Sequence, residues 1–382
     1  MNSRDFFIII SKKSLWNFDK LTCFEYNIFV FYFVIKNMGE LNENKIWFDG
    51  EKYIELQRNQ INDRLVNTAW RLYLEIDSLI KNEYAQEVLP GYSPDTMKKV
   101  FGWFKDKIEI LISINSEDII NDTKIWEDNL SLWDFIEHRL LVLERNFWTK
   151  PVLVITNIDV WNMFDLILNF ERRFQKKQYR VFEKYKISWY PYNLKSMLSE
   201  DGFGADDHIP LTKNLILVTW IGQNSGKFST CLWQIYLDNE IWIRAWYAKF
   251  QTFPIWNLPL DHPINLAYEA MNLSNWNKNI VDWNHKKSYN QDAITTSWDS
   301  ESFEILQNFA KETVNHKNYM IKYNSSIDMS INCTWMCISD ENAINSACIN
   351  EIEKLKSKYE SLWGDILNKL NEIYEKALQR KK

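Results

Sequence analysis

An apolar run, Leu215 to Ile221, ends in a small polar turn, Gly222-Gln223-Asn224-Ser225-Gly226-Lys227, and an amphipathic stretch follows from Phe228 to Leu237. A strand that passes through a glycine-bracketed turn into a helix commits this part of the chain to an α/β arrangement. It also points backbone N–H groups and a helix N-terminus at one spot, which suits an anion, usually phosphate. The spacing departs from a Walker A loop, which needs a glycine, four intervening residues, then Gly-Lys and a Ser or Thr. Ile221 stands at the first of those positions, Phe228 follows Lys227, and Ser229 and Thr230 come one and two places late. The segment reads as a phosphate-loop-like turn. The alternative is a plain strand-to-helix turn with a solvated lysine.

Other segments repeat the alternation. Tyr53, Ile54, Ile61 and Leu65 fall at helical spacing within 50–66, and Leu72 to Ile76 reads as a strand. Ser93-Pro94-Asp95 opens a helix running to about Lys107, with an N-cap and a proline at its first position. Ile108 to Ile114 and Val152 to Ile158 are short apolar strands, and Ser131 to Asn146 and Phe164 to Lys177 are helical. Ile241 to Phe250 reads as a strand; after Pro263 the stretches 265–273, 301–316 and 341–381 read as helices. The pattern predicts an α/β fold, a mainly parallel sheet with helices on both faces, followed by a mostly helical C-terminal part. It divides the chain into 1–44, a leader or misassigned start with Met38 as the true initiator, an α/β domain over 45–260, and a helical domain over 261–382.

Composition excludes several classes. The net charge of −6 lacks the basic face of a nucleic-acid binder. The five cysteines, without a cleavable signal sequence, predict reduced thiols, and Cys333-x3-Cys337 has no second Cys/His pair at zinc spacing. The apolar run Ile28 to Ile35 is far shorter than the ~20 residues of a membrane span. A cytoplasmic protein, without membrane or nucleic-acid partners and open to oligomerisation, is expected.

Longer stretches carry a resemblance. The segments GFGADDHIPLTKNLILVT, SGKFSTCLWQIY and YAKFQTFPIWNLPLDHPINLAYEA, with FDGEKYIELQRNQINDRL at 48–65, YAQEVLPGYSPDTMKK at 84–99, IEILISINSEDI at 108–119 and MCISDENA at 336–343, closely resemble the bacterial domain-of-unknown-function family 1846. The resemblance covers residues 46–382. It implies a Gly-rich SGK turn, and no established activity comes with it. It also implies a family member shortened at its C-terminus.

The chain has 19 Trp and 9 Gly, whereas a glycine share of about 7% would give roughly 27. Trp47, Trp70, Trp242, Trp246 and Trp335 stand where the resemblance implies glycine, Trp148 belongs with them, and Trp256 is a tryptophan in the family too. Replacing a glycine needed for positive φ or close approach by the largest side chain is physically severe. UGA encodes glycine in some bacterial lineages, and reading such codons as tryptophan produces this pattern. Drift in an AT-rich genome or a decaying gene are the alternatives.

The candidate site follows from the turn. Gly222, Asn224, Ser225, Gly226, Lys227, Ser229 and Thr230 are expected to bind the phosphate of a nucleotide or phosphorylated small molecule. Asp201 and Asp206, behind the Gly202-Phe203-Gly204 turn, are candidates for holding Mg²⁺ through oxygen. Glu75, at the end of its strand, is a further carboxylate on that edge, and His208 joins the acidic group. Lys249 offers a second cation and His262 acid–base chemistry, beside the pocket-wall segment around Asn257. Each has a bland reading: a solvated acidic loop, first-turn hydroxyls, a histidine packed in a loop. The leading expectation is an enzyme of phosphoryl transfer or phosphate-dependent hydrolysis with Mg²⁺ and a nucleotide; the alternative is a non-catalytic ligand-binding or scaffold protein with a structural turn.

Overall fold

In the computed structural model, residues 47–66, 70–122, 130–159, 164–222, 224–273, 277–313, 319–359 and 365–380 are described. The expected leader over 1–44 lies outside them. Strands β1 (Arg71–Ile76), β2 (Ile108–Asn115), β3 (Val152–Ile158), β4 (Arg180–Tyr185), β5 (Leu215–Ile221), β6 (Ala245–Phe250) and β9 (Ser330–Ile331) form one sheet in the order β4-β3-β2-β5-β1-β6-β9. Every pairing in it is parallel. β7 (Asn279–Val281) and β8 (Ile294–Thr296) make a separate antiparallel pair. β2, β3 and β5 are buried along nearly their whole length, as their unbroken apolar runs require of strands covered on both faces.

The order of the strands creates the crevice that matters. From β2 the chain steps outward to β3 and β4, then returns so that β5 inserts between β2 and β1. From β5 it steps the other way, over β1 to β6. Right-handed crossovers put the connections of these two series on opposite faces. Accordingly the Leu132–Phe147 helix packs on Thr96–Gly102, and Ser116–Asn121 on Phe164–Lys176, while Lys227–Glu240 packs on Ser297–Thr313. The loops leaving β2 and β5 therefore diverge at their carboxyl ends, the place where open α/β sheets bind ligands.

Several boundaries differ from the expectation for local reasons. The helix after Ser93-Pro94-Asp95 spans only Thr96–Gly102, and Ser93 bonds the Asp95 carboxylate instead of capping. β6 begins at Ala245 because the first residues of the expected strand, Ile241 to Ile243, close the end of the Lys227–Glu240 helix by hydrogen bonds back to it. The Pro263–Met271 helix has His262 as N-cap and proline at its start, which suits a residue without an N–H. The long terminal helix is two, Glu341–Tyr359 and Asp365–Arg380. β4 was not anticipated: RVFEKY lies at the sheet edge and is mostly half-buried, so its pattern is too polar to stand out. The helical C-terminal part also supplies β9.

Candidate functional site

Ile221 ends β5, and the chain turns sharply through Gly222 at φ 83°, Asn224 at φ 54° and Gly226 at φ 73°. A Cβ on Gly222 would lie 2.2 Å from the Asp118 carboxylate, so only glycine fits there without moving that side chain. The turn is anchored to β3: the Thr156 hydroxyl donates to the Ser225 carbonyl at 2.8 Å, and the Asn157 amide to the Asn224 carbonyl at 3.3 Å. Gly226 is the N-cap of the Lys227–Glu240 helix, and no side chain caps it. The Thr230 hydroxyl is wholly buried and bonded to Ser113 at 3.0 Å, and Ser229 is buried beside Tyr190. Gln223 lies outside the described residues.

Lys227 reaches across the strand ends. Its ammonium pairs with Asp77 and lies 3.6 Å from Glu75, both at the carboxyl end of β1. Parallel register sets Glu75 beside Lys249 of β6, and Tyr247, two residues earlier on the same face, donates to Glu75 at 2.8 Å. Lys249 pairs in turn with Asp299 of the Ser297–Thr313 helix. Asp299 also accepts from Gln251 at 2.7 Å and Thr296 at 2.9 Å. Two lysines and three carboxylates thus meet where β1, β5 and β6 end.

The electrostatics reflect this closeness. The side chain of Asp77 is 64% exposed, so burial works only weakly against its charge, and the ammoniums of Lys227 and Lys249 hold its carboxyl at about 2. Burial likewise works against a charged Lys249, yet Asp299, Glu75 and Asp77 keep it above the usual lysine range. Across the turn, burial and the neighbouring Glu117 push Asp118 up, and one of its buried oxygens has no hydrogen-bond partner. Beyond Asp118, a polar cleft of about 280 Å³ opens among Asn115, Glu117, Asn157, Asp159 and Lys186, at the ends of β2, β3 and β4.

The other sequence-derived candidates lie elsewhere. Asp201 is exposed, and Asp206 accepts from the Tyr185 N–H at 3.0 Å beside β4. Burial raises Asp206 to about 6 although Lys184 lies near, and burial lowers that buried lysine to about 8. The loop carrying both aspartates packs Phe203 against Tyr236. Tyr236 lies nine residues along the helix from Lys227, roughly 13.5 Å at the α-helical rise. His262 accepts from the Ile264 N–H as N-cap, and its other ring nitrogen meets Glu341 at 3.0 Å. His208 bonds the buried Asp238 at 2.8 Å. Among the described residues no group of three or more His, Cys, Asp or Glu is placed to hold a metal, and Cys333 and Cys337 are buried thiols with raised pKa values.

Asp77, Asp118 and Asp299 were not singled out from the sequence. Asp118 and Asp77 each follow closely on an apolar strand, and carboxylates just past strand ends are worth noting wherever a parallel sheet is expected. Asp299 carried no such signal.

The fold and the cluster define a doubly wound α/β protein with a charged crevice at the carboxyl edge of its sheet. The chain belongs to the family described as "Domain of unknown function DUF1846, N-terminal", whose model matches residues 46–377. It is 35% identical over 317 residues to a UPF0371 protein of Corynebacterium diphtheriae, covering 81% of this chain and 61% of the relative. It is 33% identical over 336 residues to a UPF0371 protein of Streptococcus equi subsp. zooepidemicus, covering 87% and 65%. The chain thus spans less than two thirds of the length of these curated relatives. No helix among the described residues is long and apolar enough to cross a membrane.

Proposed function

We propose that the carboxyl edge around Gly222–Lys227 binds a nucleotide or another phosphorylated small molecule together with Mg²⁺, and that the protein acts on it by phosphoryl transfer or hydrolysis. The observation that supports this is the meeting of Lys227, Lys249, Glu75, Asp77 and Asp299 beside an uncapped helix N-terminus.

The charge balance supports the metal. Three carboxylates against two ammoniums leave one net negative charge, and Asp118 adds to it across the turn. A bare phosphate would meet repulsion here, whereas a phosphate carrying Mg²⁺ would not. Mg²⁺ is commonly held by one or two carboxylates plus substrate phosphates instead of a full protein cage. Asp77, with its carboxylate in solvent, suits that role. Lys227, released from Asp77 on binding, and the first helical amides would stabilise charge on the phosphate, the main requirement of such chemistry.

A second reading has its own support: the turn's carbonyls are committed to Thr156 and Asn157, and Lys227 already has partners, as in a purely structural turn of a binding or scaffold protein. Incubation with a panel of nucleotides and sugar phosphates, followed by measurement of released phosphate, separates the two. Mg²⁺-dependent turnover that is lost in Lys227→Ala is the expected result. No turnover despite tight, Mg²⁺-dependent binding would leave a binding protein, and no binding at all would leave a structural turn.

A further inference from the structure

The backbone at several tryptophans is one that L-residues with large side chains avoid. Eight described non-glycine residues have positive φ. Five are Asp, Asn or Gln, of which Asn and Asp tolerate the left-handed region best, and the other three are Trp148, Trp189 and Trp242.

Two of the three sit at the helix-ending position that glycine dominates. After the Lys227–Glu240 helix, the Trp242 N–H donates to the Asn239 carbonyl at 3.0 Å and the Ile243 N–H to the Asp238 carbonyl at 2.8 Å. That pair of bonds is the Schellman motif, with Trp242 at its left-handed residue, φ 66°. After the Leu132–Phe147 helix, the Trp148 N–H donates to the Glu144 carbonyl at 2.8 Å with φ 53°, the single-bond version of the same ending.

Packing does not offset the strain. Trp242, Trp189 and Trp148 are 93%, 80% and 69% exposed, although the ring of Trp148 meets the Lys105 ammonium at 5.4 Å. They do not form one aromatic docking patch either. Trp148 and Trp242 precede β3 and β6, which are separated by three strands, while Trp189 follows β4 at the opposite edge of the sheet. A second, independent sign comes from the core. Trp233 and Trp246 are wholly buried, and the indole N–H of each has no acceptor. A buried tryptophan selected as such normally finds one.

We infer that positions 148, 189 and 242 are glycine positions, and that the cell encoding this protein inserts glycine at them. The backbone is then unstrained at both helix ends, and three exposed indoles disappear from the surface. Peptide mass spectrometry on the protein purified from the cells that encode it tests this directly. Glycine masses at 148, 189 and 242 are expected, and tryptophan at any of the three overturns the inference. A second measurement works on recombinant protein. Trp148→Gly and Trp242→Gly should each raise the unfolding midpoint by about 2 °C or more, while Trp298→Gly, inside the Ser297–Thr313 helix, should lower it. A fall at both 148 and 242 would equally overturn the inference.

Discussion

Two clusters of charge sit at opposite ends of the Lys227–Glu240 helix, and they are built differently. At the carboxyl end Asp238 is wholly buried and accepts from Arg71 at 2.6 Å and Tyr73 at 2.8 Å, with His208 at 2.8 Å. Arg71 also donates to the Leu211 carbonyl at 2.7 Å. Every oxygen of that carboxylate is used, and the knot ties β1 to the helix and to the loop before β5. At the amino end Lys227 pairs with Asp77, whose side chain is 64% exposed. The first cluster is closed and offers nothing to a ligand. The second keeps a lysine, a carboxylate and helical amides at the rim of a crevice. Buried charge by itself is a poor guide to function; what distinguishes the two is unspent bonding capacity facing solvent.

Substitutions should separate the clusters in order of size. Asp238→Ala strands Arg71 in the core and is expected to cost about 3–5 kcal/mol of unfolding free energy, read by denaturant titration. A loss below about 1 kcal/mol would mean that the closed knot is not what holds β1 to the helix. Asp299→Ala removes the main partner of the half-buried Lys249 and should cost about 2–3 kcal/mol while weakening ligand binding. Gly222→Ala forces a left-handed alanine against Asp118, an effect of about 1–2 kcal/mol. Its circular dichroism melt should fall without loss of helix content. Lys227→Ala has the smallest effect on stability, under about 1 kcal/mol, because its closer partner stands in solvent. Its effect on phosphate binding should nevertheless be the largest of the set.

A pH series sharpens the contrast between His262 as helix cap and as reactive group. Burial holds His262 below its ordinary value of 6.5, while Glu341 and Asp261 pull the other way and Arg380 adds to the depression. The unfolded chain therefore takes up the proton first. The contribution of His262 to stability is complete above 6.5 and is lost as pH falls through 6.5 toward the lower folded value. His262→Asn keeps a capping acceptor and should flatten that part of the slope. An unchanged slope in the variant would show that His262 titrates as freely folded as unfolded.

The parts of this arrangement that the sequence revealed are those written locally. β2, β3 and β5 were legible because strands covered on both faces must be apolar throughout, and the Gly222–Lys227 turn because glycine and lysine stand together after one of them. β4 and the two-residue β9 were not, one being a half-exposed edge and the other too short for any periodicity. Lys227 and Lys249 were legible as cations near strand ends, and Glu75 as a carboxylate on the same edge. Asp299 was not, since it stands 50 residues from the lysine it meets, and only sheet register and helix packing join them. Asp206 and His262 drew attention by residue type, but a backbone N–H and a helix end are what they bond.

On the function proposed above, the open cluster takes phosphate together with Mg²⁺. Its most direct test is a thermal-shift titration of the protein and of Lys227→Ala with nucleotides and sugar phosphates, each with and without Mg²⁺. A saturable rise in the unfolding midpoint of the unaltered protein that needs Mg²⁺ and is absent from Lys227→Ala is expected. A shift of equal size in both proteins, or none for any ligand in either condition, would contradict it.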